Sequence, residues 1–151
     1  MANGDPSERV GYLIWQLSQA YGLRVEQALR PLRLTQAQFS ALLRLSLDGP
    51  ASGAELARRC GVTAQSMGAS IQGLTERGLT VRRPHPTHGR IIEISVTAAG
   101  EELLARAERA LAPAEEEALS CFSPEEGERI RADLRRMLTV LNPHALPGER
   151  E

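Results

Sequence analysis

Six arginines and a set of amide and hydroxyl side chains are gathered within residues 51–96 of this 151-residue chain. They are Arg58 and Arg59, then Gln65, Ser66, Ser70 and Gln72, then Arg77, and finally Arg82, Arg83 and Arg90 with His88 between the last two. A guanidinium is a planar fork that pairs bidentately with phosphate. A Gln amide pairs bidentately with adenine, and a Ser hydroxyl suits several base edges. The chemistry on offer is hydrogen bonding to a patterned polyanion, not the making and breaking of bonds. The sequence shows no Gly-rich phosphate loop, no paired carboxylates in a plausible cleft and no Ser/His/Asp order, so neither an enzyme nor a cofactor is expected. His85 and His88 form a His-x-x-His pair without a Cys or third His nearby, so no metal centre is expected either.

These residues need a scaffold, and residues 51–96 spell one out. Ser52-Gly53-Ala54-Glu55 is a capping box, in which the Ser hydroxyl and the Glu carboxylate satisfy the first turn of a helix reciprocally. Leu56 and Ala57 face inward on that short helix, which breaks at Cys60-Gly61-Val62. Thr63 caps a second helix with Met67, Ile71 and Leu74 along one face, ended by Gly78. Gln65, Ala69, Gln72, Gly73 and Glu76 fall on its opposite face, with Ser66 and Ser70 at the flanks. Val81-Arg82-Arg83 reads as a strand, Pro84 to Gly89 as a turn, and Ile91 to Val96 as a returning strand. Helix, tight turn, helix and a two-stranded wing make a winged helix-turn-helix, whose second helix enters the major groove of DNA.

The charge distribution agrees. The formal net charge is only −1, but residues 1–50 carry +1, residues 51–96 carry +3 and residues 97–151 carry −5. Every basic residue is Arg, which suits phosphate contacts and also follows from a GC-rich coding sequence. For Arg58 and Arg59 an ordinary solvated helix face is the other reading, and for Gln65 and Ser66 it is helix-start polarity. No apolar run is long enough for a signal peptide or a membrane span, so a soluble, cytoplasmic protein is expected. Cys60 is expected to pack as a structural thiol, while exposure of Cys121, at the junction of the last two helices, is left open.

Outside this core the pattern is helical. Asp5-Pro6-Ser7-Glu8 opens a helix carrying Val10, Leu13, Ile14, Leu17, Tyr21, Val25, Ala28 and Leu32, with its end marked by Pro31. At roughly 26 residues it would be about 39 Å long. Its apolar surface exceeds what one small domain covers, so a second subunit is expected. Thr35-Gln36-Ala37-Gln38 is another capping box, opening a helix with Phe39, Leu42, Leu43 and Leu47 that stops at Asp48-Gly49-Pro50. After the wing, Thr97 caps a long helix with Leu103, Leu104, Ala107, Leu111 and Ala118 inward and an expected kink at Pro113. Ser123-Pro124-Glu125-Glu126 opens a last helix presenting Ile130, Leu134, Met137, Leu138 and Leu141, and the tail from Asn142-Pro143 to Glu151 is expected to be loose. The expectation is a mainly α protein with a small two-stranded β wing, one domain over residues 1–151. Residues 35–96 form its winged core, and residues 5–34 and 97–142 form dimerisation helices.

In its order of elements the chain resembles the MarR family of bacterial transcriptional regulators. The resemblance is carried by Leu34-Thr35-x-x-Gln38-Phe39, Leu56-Ala57, Gly61-Val62-Thr63, Leu74, Glu76-Arg77-Gly78-Leu79 and Arg82-Arg83, then Pro86, Gly89-Arg90 and Val96-Thr97-Ala98-Ala99-Gly100. It implies an obligate homodimer, a pseudo-palindromic operator in double-stranded DNA, and a signal that releases the DNA. It also implies that an Arg of the wing enters the minor groove while others hold phosphate; beside this, Arg58, Arg59 and Arg77 are expected to clamp the flanking backbone. Two departures bear on this. His88 stands where many members have an Asp that orients the wing Arg, which leaves Arg90 less fixed or makes the wing sensitive to pH. Ala69 stands where members commonly have a cation, so affinity is expected to be moderate, phosphate-dominated and steeply salt-dependent.

The family's effector pocket lies between the winged core and the dimerisation helices. Tyr12, Trp15, Tyr21 and Phe39, four of the five aromatic residues, would border it and accept a small apolar or phenolic effector; plain core packing is the other reading for each. Peroxide sensing is not expected, since no Cys stands in the first helix. A winged helix used for protein binding, or a regulator with weak and largely non-specific DNA binding, remains the alternative function.

Overall fold

The computed structural model describes residues 4–147 and contains six α-helices and one small sheet. In chain order these are α1 (Val10–Leu29), α2 (Gln36–Asp48), β1 (Ala51–Ser52), α3 (Gly53–Cys60), α4 (Ala64–Glu76), β2 (Thr80–Pro84), β3 (Ile92–Val96), α5 (Ala98–Leu119) and α6 (Pro124–Leu141). The helix starts are written locally. Thr35, Ser52 and Ser123 each accept from the backbone N–H three residues on, while Gln38, Glu55 and Glu126 reach back to the cap. Thr63 and Thr97 cap α4 and α5 through the hydroxyl alone.

Three helix ends share one geometry. The N–H groups of Val62, Leu79 and Leu34 reach the carbonyls of Ala57, Leu74 and Leu29 at 3.0, 3.0 and 3.3 Å, with Gly61, Gly78 and Arg33 left-handed between. At the first of these the chain turns from α3 into α4, which is why that connection can be so short.

The wing is a three-stranded antiparallel sheet, ordered β1-β3-β2, rather than a two-stranded one. Ala51 and Ser52 pair with Ile94 and Glu93 on the far side of β3. Two residues are too few to show an alternation, and Ser52 is at the same time the extended N-cap of α3. Strand β2 pairs with β3 from Thr80↔Val96 to Pro84↔Ile92.

The core lies under this sheet. Leu29, Leu42, Leu56, Met67, Ile71 and Leu74 are fully buried, joined by Leu45, Leu79, Ile94, Leu103, Leu104 and Ala107. Each such side chain contributes about 1.5–3 kcal/mol on burial. Gly100 sits where the start of α5 crosses the α4–β2 turn. A Cβ there would stand 2.2 Å from the Leu79 carbonyl oxygen, so only glycine permits the crossing.

Several expectations change. The Asp5 carboxylate accepts from Ser7 N–H and caps only a 3-10 turn over Pro6–Glu8; extended Arg9 then intervenes, so α1 has 20 residues rather than about 26. Pro31 falls in a second 3-10 turn, Arg30–Leu32, because it lacks the N–H that would continue α1. On α5, Ala118, expected inward, is exposed while Ala114 is buried. The segment after α6 is not loose: Pro143–Ala145 is a 3-10 turn docked on α3. The tail beyond Pro147 lies outside the described residues.

Candidate nucleic-acid interface

Met67, Ile71 and Leu74 pin α4 to the core, and this fixes which of its side chains face out. Gln65, Ser66, Ala69 and Gln72 are exposed and Ser70 is half-buried. Gly68 opens on the same side, where an added Cβ would meet nothing within 4 Å among the described residues. Gly73 belongs elsewhere than expected: a Cβ on it would lie 2.8 Å from the Gln38 amide nitrogen, so it marks the close approach of α4 to α2. Two of the polar groups are already engaged. Gln72 Nε2 donates to Glu76 Oε1 at 2.7 Å, and Ser70 Oγ donates to the Ser66 carbonyl at 3.1 Å. Gln72 must release Glu76 before its amide can take a base edge, whereas Gln65 has no such competitor among the described residues.

The arginines divide into two groups. Arg82, Arg83, Arg90 and Arg58 are exposed, and no ion pair holds them among the described residues. Strand alternation sends Arg82 and Arg83 to opposite faces of β2, with Arg83 opposite Glu93 in register. Arg59 and Arg77 are committed within the protein instead. Arg59 lies 3.5 Å from Asp48 and 3.7 Å from Glu55. Arg77 donates to the backbone carbonyls of Arg33 at 2.6 Å and Leu32 at 3.1 Å, tying the end of α4 to the α1–α2 connection. As backbone clamps both would first have to break these bonds.

In the wing turn the organising residue is His85, which sequence reasoning passed over in favour of His88. His85 Nδ1 accepts from the backbone N–H groups of Thr87 at 3.1 Å and His88 at 3.2 Å, while Nε2 lies 3.4 Å from Glu93 Oε1. This network assigns the neutral Nε2–H tautomer. His88 is exposed and stacks obliquely on His85, with ring centroids 5.3 Å apart. No residue type in the sequence marked this role, since the partners of His85 Nδ1 are backbone N–H groups of the turn. Among the described residues no cluster of three His, Cys, Asp or Glu could hold a metal ion.

The helical elements outside this surface leave much apolar area uncovered. On α1 only Val25 and Leu29 are buried, and Val10, Leu13, Ile14, Leu17 and Leu23 are exposed. On α6 the only buried residue is Gly127, while Leu134, Leu138, Val140 and Leu141 are exposed. The four aromatic residues do not converge within the chain. Tyr12 and Trp15 form a tilted pair on the exposed side of α1, with centroids 6.5 Å apart. Phe39 packs on the core, and Tyr21 lies at the α1–α5 seam, where burial and then Glu115 push its hydroxyl pKa up. An open groove of about 690 Å³ runs instead between α1 and the start of α2, lined by Ser18, Gly22, Glu26, Arg30, Arg33 and Thr35 among others.

The MarR family's sequence profile matches residues 34–91. The HTH-type transcriptional repressor Rv2887 of Mycobacterium tuberculosis is 32% identical over 132 residues, covering 87% of this chain and 92% of the relative. The chain belongs to the MarR family. Among solved MarR-family structures, Rv2887 in complex with p-aminosalicylic acid superposes with a TM-score of 0.71 at 28% identity, covering 85% of this chain and 98% of that one. The transcriptional repressor CouR bound to a 23-mer DNA duplex gives a TM-score of 0.74 at 29% identity, with 93% and 97% covered. This MarR-family chain is therefore a DNA-binding transcriptional regulator of winged-helix fold, and its relatives are regulators rather than enzymes. Among its described residues no helix is long and apolar enough to cross a membrane.

Proposed function

We propose that the protein is a homodimeric, ligand-responsive repressor, acting in the cytoplasm on a pseudo-palindromic operator. The observation that carries the DNA-binding part is the exposed polar face of α4 flanked by Arg58, Arg82, Arg83 and Arg90, which no ion pair holds among the described residues. In this reading α4 lies in the major groove with Gln65 and Ser66 on base edges, Ser70 and Gln72 follow once their internal bonds exchange, and the wing arginines hold the backbone or the minor groove. Residues 35–96 are the reading unit, and residues 5–34 and 97–142 join the two copies in a single domain over residues 1–151. The uncovered apolar sides of α1 and α6 support that assignment, since contiguous exposed apolar surface of this kind marks an interaction site. Two α4 helices then meet successive major grooves about 34 Å apart.

Rv2887 in complex with p-aminosalicylic acid supports a small aromatic or phenolic effector here too. Because Tyr12 and Trp15 stand exposed, the aromatic residues would make a site only with the second copy in place. Titrating the fluorescence of Trp15, the only tryptophan, across a phenolic panel reads this directly; silence throughout would remove the aromatic site.

The deciding experiment is retardation of DNA from upstream of the protein's own coding region, against random duplex, at several salt concentrations. Four free arginines per copy predict a slope of log affinity on log salt near −7 for the dimer. A flat response would overturn the phosphate-dominated picture. One observation favours a second reading, weak and largely non-specific binding: α4 carries no Arg or Lys, and its Gln72 is held by Glu76. Equal retardation of both DNAs would decide for it.

A further inference from the structure

Arg44, in the middle of α2, is the one charged residue buried among the described residues, at 8% exposure. Its guanidinium lies 2.8 Å from Asp48 and donates to two backbone carbonyls from the far end of the chain, Ala145 and Leu146, each at 3.3 Å. Asp48 is shared with Arg59 at 3.5 Å. Beside this, Asn142 Nδ2 donates to the Arg58 carbonyl at 3.3 Å, near the end of α3, and packs against Gly61, where an added Cβ would stand 3.5 Å away. The segment that follows α6 is thus hydrogen-bonded to both helices that carry α4. Along its length α6 itself is hardly held, with Val140 at 81% and Leu141 at 74% exposure.

We propose that Arg44 and Asn142 form a strap that sets the orientation of α6 against the α2–α3–α4 unit, and with it the separation of the two recognition helices in the dimer. The inference rests on the dimeric reading above. Removing a guanidinium from water costs several kcal/mol unless its hydrogen bonds are made good, and an apolar residue at this site would avoid that cost. What Arg44 contributes is direction: its acceptors are fixed carbonyls, so the strap seats in one geometry, whereas apolar packing alone tolerates sliding. The strap also ends beside Arg58, so it positions a phosphate-facing side chain through its own backbone carbonyl.

Electron–electron distance measurement tests this on the whole chain. Gln65→Cys carries a spin label on a Cys60→Ala, Cys121→Ser parent, and Arg44→Met and Asn142→Ala are introduced separately. The parent is expected to give one narrow inter-label distance, and both strap variants a broadened or shifted distribution at unchanged dimer mass and helical content. With Gln65 intact and no label, on a pseudo-palindrome selected by the native chain, one extra base pair between half-sites should cost that chain about tenfold in affinity and the Arg44→Met and Asn142→Ala variants clearly less. A purely structural role would lower the thermal midpoint and weaken all DNAs alike, leaving the distance and the spacing preference as they were; that result overturns the proposal. If Arg44→Met fails to fold, Asn142→Ala decides alone, because its loss leaves no buried charge unpaired. A single-chain mass with no dipolar signal in the parent would instead remove the dimer, and the strap's role with it.

Discussion

Helices α4 and α6 are of similar make, amphipathic and capped by a hydroxyl, yet they end in opposite situations. Helix α4 buries Met67, Ile71 and Leu74 and turns no large apolar side chain outward. Helix α6 buries no large side chain and leaves Leu134, Leu138, Val140 and Leu141 exposed. The same contrast divides the chain: residues around the sheet share one buried core, while most of α1 and nearly all of α6 stay uncovered. The difference shows that an apolar stripe specifies that a face will be covered, not by which molecule.

The strongest way to break this contrast is to damage the self-sufficient half. Leu56→Ala should cost about 2–5 kcal/mol of unfolding free energy, because the site is fully enclosed and collapses poorly; denaturant unfolding measures it. In the other half, Leu138→Asp should leave the circular dichroism of the fold intact and weaken dimerisation about 100-fold, near 2.7 kcal/mol, as read by sedimentation. If Leu138→Asp unfolds the chain without a dissociated folded species, the two halves are not separable.

The junction between them gives smaller effects. Arg33 is the one residue other than glycine with a left-handed backbone among those described, and Arg33→Gly should raise stability by about 1 kcal/mol while its carbonyl still holds Arg77. The thiols sharpen the comparison further. Burial pushes the Cys60 thiol pKa up against the opposing pull of Arg44 and then Arg59, while Cys121 in the α5–α6 turn is exposed. Alkylation at neutral pH should therefore modify Cys121 well before Cys60, and equal rates would mean the α3 end opens readily.

Least of all is expected from the ion pair joining α1 to α5. The hydrogen bonds from Arg24, at 2.9 and 3.0 Å, hold the Glu117 carboxyl below its ordinary range. Any stabilisation is present above that ordinary range and lost as pH falls through the lowered value. Both groups stand in solvent, so Arg24→Ala should leave the thermal midpoint where it is.

Much of this was legible in residue order. Capping at Thr35, Ser52, Thr63, Thr97 and Ser123 is a three-residue relation, so the side chains that make it stand next to one another in the chain. Gly61 and Gly78 announced their turns for the same reason, and the inward faces of α3 and α4 followed from period alone. The arginines were harder. Nothing local separates Arg82 from Arg77, since the carbonyls that engage Arg77 belong to Leu32 and Arg33, more than forty residues upstream. His85 was passed over because its partners are backbone N–H groups of a turn whose geometry the residue types do not fix.

Sequence alone determined where α2 to α6 begin, which helix faces are apolar, and that positive charge gathers on residues 51–96; these depend on contacts within a few residues. Tertiary structure decided which arginines are engaged within the protein, that Ala51 and Ser52 complete the sheet, and that Ala145 returns to Arg44 across a hundred residues. Those outcomes depend on which distant groups meet at hydrogen-bonding distance, and spacing along a chain carries no measure of that.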